Sequence, residues 1–235
     1  MKRIFSFATG NIWKWYKAKN RAVCLELIRK LDMDGVELTF AHADELLAFK
    51  LSESSRQWLR SLDYVTIHAP FRYPENHGLA DYLGHIHKLY RQINAKNLII
   101  HPYNLVSSEI LGKYSMRIST ENLRPHRHIT PSDLEGYLQK YRGMGLCLDV
   151  AHAYFYSKEE THKLIGRFRN KITQVHVSGT YRKNDHLSLR EVTRDFMYSI
   201  RDIKTLDVPI VIEEDLEKNS LRFLKDEIAY VKSLF

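Results

Sequence analysis

Short apolar runs alternate with stretches of helical periodicity along the whole chain. The runs cover Arg3–Thr9, Gly35–Phe40, Tyr64–Ala69, Asn97–His101, Met116–Thr120, Gly145–Asp149, Ile172–Val177 and Pro209–Ile212. None alternates apolar and polar residues for long, which predicts parallel strands covered on both faces. The intervening helices are predicted at Lys17–Lys30, Asp44–Leu59, Leu79–Ile93, Pro131–Lys140, Lys158–Phe168, Thr193–Thr205 and Ser220–Leu234, with a short one between Tyr103 and Lys113. Two helix starts carry signals of their own. Thr130-Pro131 with Asp133 supplies a cap oxygen, a first-turn proline and a favourable charge. Ser157 with Glu160 has the spacing of a capping box.

Strands and helices in alternation predict an α/β fold, a (β/α)8 TIM barrel spanning 1–235 as one domain. The 235 residues match the roughly 250 typical of such barrels. A doubly wound open sheet is the alternative. The first strand is followed by Thr9-Gly10-Asn11 and not by a glycine-rich dinucleotide fingerprint, so no organic cofactor is implied.

The ends of the runs carry the chemistry. His68, His101, Glu121, Asp149, His176 and Glu213 each stand at or just beyond the end of an apolar run. In a barrel these positions meet at one mouth, where function resides. Taken singly, each has a bland reading: a hydrogen-bonded histidine, a turn cap at Asp149, a lysine partner for Glu213. Their shared position favours a metal site. His152, His186 and Asp185 extend the set, with Asn184 an alternative to Asp185. Imidazole and carboxylate together suit zinc first, then manganese or iron, with one to three ions expected.

Composition adds less. Apolar residues make up 44%, no run is long enough for a membrane span, and the amino-terminal MKRIFSFATG reads as a first strand. Two cysteines, Cys24 and Cys147, lie in apolar patterns and predict buried thiols in a reducing, cytoplasmic setting. The net charge of +8 favours an anionic partner. Lys14, Lys17, Lys19, Arg72, Arg124, Arg127, Arg182 and Lys183 fall in the expected mouth loops among Trp13, Trp15, Tyr16, Phe71, Tyr73, Tyr103 and Tyr181. Such a mixture suits nucleic acid or a phosphosugar, and equally a solvated rim.

Gly145-Leu146-Cys147-Leu148-Asp149-Val150-Ala151-His152-Ala153, His68-Ala69-Pro70-Phe71 and His101-Pro102 give the chain a family resemblance over most of its length. It resembles the xylose-isomerase-like barrel superfamily, which contains the type-four apurinic endonucleases and many sugar isomerases and epimerases. The resemblance implies that His68 and His101 hold one ion and that Asp149, His176 and Glu213 hold a second. Glu121 would bridge these two, and His152 and His186 would bind a third ion. The acidic residue expected two places before His186 is Asn184 here, and Asp185 stands one place along. Tyr103 and Leu187-Ser188-Leu189-Arg190-Glu191 replace expected glycines, and the chain is shorter than those endonucleases.

Three functions follow. The first is metal-dependent phosphoester hydrolysis, with abasic or damaged DNA or a small phosphosugar as substrate and Glu121 as the bridging ligand. The second is isomerisation or epimerisation of a sugar or sugar phosphate, with Glu121 and Glu213 on opposed strands as base and acid. The third is a barrel that binds metal or ligand without turnover. His101 and His152 separate the first two: as metal ligands they favour hydrolysis.

Overall fold

Parallel pairing closes eight strands into a ring in the order β1-β10-β7-β6-β5-β4-β3-β2. The computed structural model describes residues 2–15, 20–125, 129–216 and 220–235. Lys17, Lys19, Tyr16 and Arg127 lie outside them. The strands are β1 (Phe5–Ala8), β2 (Gly35–Thr39), β3 (Tyr64–His68), β4 (Asn97–Ile100), β5 (Ile118–Glu121), β6 (Gly145–Asp149) and β7 (Ile172–Val177). A hairpin of β8 (Gly179–Tyr181) and β9 (Asn184–Leu187) precedes the last barrel strand, β10 (Ile210–Ile212).

The helices are α1 (Cys24–Ile28), α2 (Ala43–Ala48), α3 (Glu53–Ser61), α4 (Leu79–Gln92), α5 (Ser108–Gly112), α6 (Pro131–Lys140), α7 (Val150–Tyr154), α8 (Glu160–Phe168), α9 (Arg194–Ser199) and α10 (Leu221–Leu234). They bury apolar faces against the strands; Leu83, Ile86, Leu134, Leu164, Leu224 and Val231 are almost wholly enclosed. No helix among the described residues is long and apolar enough to cross a membrane.

The strand positions match the sequence pattern to within two residues at each end. The helices differ more. The predicted Asp44–Leu59 helix is two, because Phe49 turns to an extended conformation and packs edge-on against Phe40 at 5.2 Å. Ser52 then caps α3 through Ser55 N. The Thr193–Thr205 helix is α-helical only to Ser199 and continues as a 3-10 turn. Thr130 caps α6 as expected, reciprocally with Asp133. Ser157 does not cap α8: its hydroxyl is buried without a partner, and the helix starts from Glu159. The β8–β9 hairpin and the short α7 carry no strong sequence pattern and were not expected.

Close strand approach fixes one glycine. A Cβ at Gly35 would stand 2.1 Å from Ser6 Oγ and 2.2 Å from the Tyr64 carbonyl oxygen. The carbonyl belongs to the neighbouring strand and has no room to retreat. Gly35→Ala is therefore expected to destabilise the fold by about 1–3 kcal/mol, read from the urea midpoint. An unchanged midpoint would contradict this packing.

The barrel interior is unusually polar. Asn97, Ser119 and Thr173 hydrogen-bond to one another at 2.8–3.1 Å. Nearer the mouth, Glu37 accepts from Thr66 Oγ1 at 2.9 Å and Gln174 Nε2 at 2.8 Å. Thr173 and Gln174 are consecutive yet both join interior networks, because β7 has one extra residue opposite Leu146–Cys147. That bulge re-phases the strand and sets His176 beside Asp149 in register.

Candidate metal centre

At the carboxyl ends of the strands the expected ligands fall into three groups. His68, His101 and Glu121 form one, and Glu121, Asp149, His176 and Glu213 a second. His152, Asp185 and His186 form a third; within each group the ligand atoms lie within 4.8 Å of one another. Glu121 joins the first two groups. Its Oε2 is 3.0 Å from His68 Nε2 and 3.3 Å from His101 Nε2, while Oε1 is 3.4 Å from His152 Nδ1 and 3.6 Å from His176 Nδ1. Asp185, and not Asn184, faces the third group, with Oδ2 3.7 Å from His152 Nε2.

The outer nitrogens of the histidines are already engaged. His68 Nδ1 donates to the Ala69 carbonyl at 3.1 Å, His152 Nδ1 to that of Asn122 at 3.0 Å, and His186 Nδ1 to that of Glu213 at 3.0 Å. His101 Nδ1 meets the Tyr103 hydroxyl at 2.7 Å. His176 is turned the other way. Its Nε2 lies 3.2 Å from the Glu37 carboxylate and 2.9 Å from Gln174 Nε2, and its Nδ1 faces Glu213 Oε2 at 2.8 Å. In neutral rings the inner nitrogens are then bare lone pairs facing carboxylate oxygens. Only protons or metal cations relieve that confrontation, and outer hydrogen bonds of this kind orient metal-binding histidines.

The second group passes a further test of fit. Asp149 Oδ2, His176 Nδ1 and Glu213 Oε2 are buried without a well-aligned hydrogen bond, the last two facing each other at 2.8 Å. All three belong to that one group, which a divalent cation would satisfy. Asp149 also accepts from His152 N through Oδ1 at 2.7 Å, so it caps α7 and still offers its other oxygen. Asn122 fixes its backbone with two bonds, Nδ2 to Asp149 O and Asp149 N to Oδ1, at 2.7 and 2.8 Å.

Electrostatics in the absence of metal tell the same story. Burial alone would raise Glu121, but hydrogen bonds from His101, His152, His176 and His68 hold its carboxyl well below the usual range. Burial is likewise overcome at Glu213 by His176, which takes that carboxyl to about 2. Burial wins at Asp149, pushed up to about 6, and at His101, pushed down to about 4. His68 and His152 lose to burial less than they gain from carboxylates, and rise to about 9 and about 10. Metal must displace these protons. Zinc or manganese binding at pH 7 is therefore expected to release protons, and apparent affinity should rise from pH 6.5 to about 9. Titration calorimetry in buffers of different ionisation enthalpy measures this; a buffer-independent heat would refute it.

Two adjoining cavities of about 250 Å³ each open on these groups and share Thr39, Phe71, Asp185, His186 and Glu213. Of the expected basic contacts, Arg124 lines the first, in an ion pair with Asp185 at 2.7 Å. Lys14 is paired with Asp215. Arg72 and Arg182 lie beside Phe71 and Tyr181, 5.8 and 5.1 Å from the ring centroids. Arg182 occupies the β8–β9 turn at φ 58°, next to Lys183. Tyr103 orients His101.

Arg21, unexpected from sequence, lines the second cavity. It is buried between Glu45 and the Trp13 ring, 4.5 Å from the centroid. Glu37 was also missed. A single glutamate inside an apolar run offers no signal that its strand faces a histidine across the barrel. Glu121 and Glu213 are not on diametrically opposed strands, since only β6 and β7 separate β5 from β10. They face one group from its two sides.

No protein-family model matches the chain, and no curated protein matches its sequence. Solved structures match over the full length. D-allulose 3-epimerase from Methylomonas sp. superposes with TM-score 0.69 at 9% identity, covering 100% of this chain and 98% of that one. A xylose isomerase domain containing protein from Salmonella typhimurium LT2 gives 0.66 at 17%, covering 100% and 99%. A xylose isomerase domain protein from Alicyclobacillus acidocaldarius gives 0.66 at 14%, covering 99% and 97%. Closed ring and these likenesses agree on the fold: the chain is an α/β TIM barrel, similar in structure to these xylose isomerase domain proteins.

Proposed function

We propose that the protein is a divalent-metal-dependent isomerase or epimerase of a sugar or sugar phosphate. The observation that carries this reading is the group of Glu121, Asp149, His176 and Glu213, whose converging buried ligand atoms stand beside a cavity of monosaccharide size. A divalent ion bound there supplies Lewis-acid polarisation of vicinal substrate oxygens and so acidifies the adjoining C–H bond. Glu121 and Glu213 are both held ionised and flank that position. Either carboxylate can accept the carbon-bound proton and, once protonated, deliver that same proton to the adjacent carbon, which relocates the centre; inversion requires the facing carboxyl to start protonated.

The walls support a carbohydrate over a long polyanion. Glu121, Asp185, Glu213, Glu214 and Asp215 line the two cavities, whereas Arg124 and Arg21 are already paired with carboxylates. The similarity to a D-allulose 3-epimerase and to a sugar phosphate isomerase/epimerase from Parabacteroides distasonis points the same way.

One observation favours phosphoester hydrolysis as a second reading. His101 and His152 both stand within ligand groups, and Glu121 is common to two groups, an arrangement suited to paired ions that activate water and hold a phosphate. Zinc- or manganese-loaded protein incubated with ketoses, aldoses and their phosphates is expected to interconvert at least one pair, with solvent deuterium entering the product. Cleavage of an abasic-site duplex with no sugar turnover would replace the first reading with the second.

A further inference from the structure

A second gathering of cations lies away from the mouth. Four loops on the opposite face, 91–96, 113–117, 140–144 and 167–171, lead into β4, β5, β6 and β7, which are consecutive in the ring. Together they hold Arg91, Lys96, Lys113, Arg117, Lys140, Arg142, Arg167, Arg169 and Lys171, and no aspartate or glutamate. Arg167 is paired with Glu135, and Arg169 bonds to Thr205. The other seven are exposed and make no ion pair among the described residues.

Helix ends account for part of this charge. Arg91, Lys140 and Arg167 lie in last helical turns, where the dipole favours cations. Lys113 is the C-cap of α5 and belongs with them, whereas Lys96, Arg117, Arg142 and Lys171 lie beyond the helix ends. Two grooves run between the loops. One of about 310 Å³ is walled by Tyr114, Arg117, Tyr141 and Arg142, and one of about 550 Å³ by Tyr90, Arg91 and Lys113. Such grooves are walled by fixed positive charge, which is what tracks a sugar–phosphate backbone. A membrane fits less well, since none of the exposed large apolar side chains lies in these loops to insert into lipid.

We propose that this face, beneath β4 to β7, is a nucleic-acid docking surface separate from the metal-bearing mouth. It grips backbone phosphates without reading bases, so its binding is salt-sensitive and insensitive to sequence.

The test is fluorescence anisotropy of the full chain with labelled single-stranded and duplex oligonucleotides of several sequences over a salt series. A variant carrying K96E, R117E, R142E and K171E is expected to lose about tenfold or more in affinity. Its salt slope should fall by roughly 0.7 to 0.9 for each phosphate contact removed. Glutamine at the same four positions, which lowers charge without reversing it, should lose less in the same direction and serves if the reversal variant fails to fold. The mouth variant R72E/R182E/K183E should bind as the parent does. Absence of binding by the parent, or equal loss in the mouth variant, would overturn the proposal. So would binding to equimolar phosphatidylcholine–phosphatidylserine vesicles without binding to oligonucleotides.

Discussion

Glu121→Gln is expected to abolish turnover, by roughly a thousandfold or more, exceeding the 10–100-fold typical of losing an outer partner. The carboxylate meets four histidine nitrogens at 3.0–3.6 Å and belongs to two ligand groups at once. An amide has nearly the same shape but no charge, and its NH2, a donor only, replaces an oxygen that would ligate the metal. Both groups therefore lose their common anion. His68, His152 and His176, all raised in part by Glu121 or its neighbours, lose support for their charged forms. Metal per chain, measured by mass spectrometry, should fall together with kcat, while circular dichroism stays that of the parent. A variant that keeps both full metal content and activity would refute a role for Glu121 in either reading of the function.

Glu37→Gln carries the second large effect, and it acts through His176. The Glu37 carboxylate is fully buried and accepts from Thr66 Oγ1, Gln174 Nε2 and His176 Nε2 at 2.8–3.2 Å. It is thus a positioning residue that fixes which nitrogen His176 turns toward Glu213. All three meet Oε2 while Oε1 lies 3.2 Å from His176 Nε2 without a hydrogen bond, so the NH2 of a glutamine opposes these donors in one orientation and His176 Nε2 in the other. A buried donor left unpaired costs about 1–3 kcal/mol. Metal affinity is expected to fall 10–100-fold, as is usual when the outer partner of a metal-binding histidine is removed. Competition with a chromogenic chelator measures this directly. Glu37→Asp, which keeps the charge, should recover part of the affinity. Unchanged affinity in Glu37→Gln would show that His176 needs no such partner.

Much of the candidate site was legible in the chain because its signals are local. A polar residue closing an apolar run is visible without knowing what it faces, and that pattern returned His68, His101, Glu121, Asp149, His176 and Glu213. His152 and His186 followed from the resemblance and from their nearness to the same strand ends. The basic mouth loops were the weak part. Lysine and arginine in a loop carry no mark of whether a carboxylate awaits them, and Lys14 and Arg124 prove to be paired with Asp215 and Asp185. Arg21, whose partners are 24 residues away in Glu45 and a ring in Trp13, gave no sign at all.

By itself the sequence determined the alternation of strands and helices, hence the barrel, and the kinds of ligand that end the strands. Both depend on properties of a few consecutive residues: apolar runs, cap oxygens, a polar terminus. Ring closure and register decided the rest. They put Glu37 of β2 against His176 of β7 across the lumen, although the two are 139 residues apart. One extra residue in β7 set the inward phase of His176, since a one-residue slip in a strand sends a side chain to the other face. The hairpin brought Asp185 rather than Asn184 to the third group, and four neighbouring loop ends pooled their cations on the far face. Which groups meet is a matter of distance in space, and only the tertiary structure supplies it.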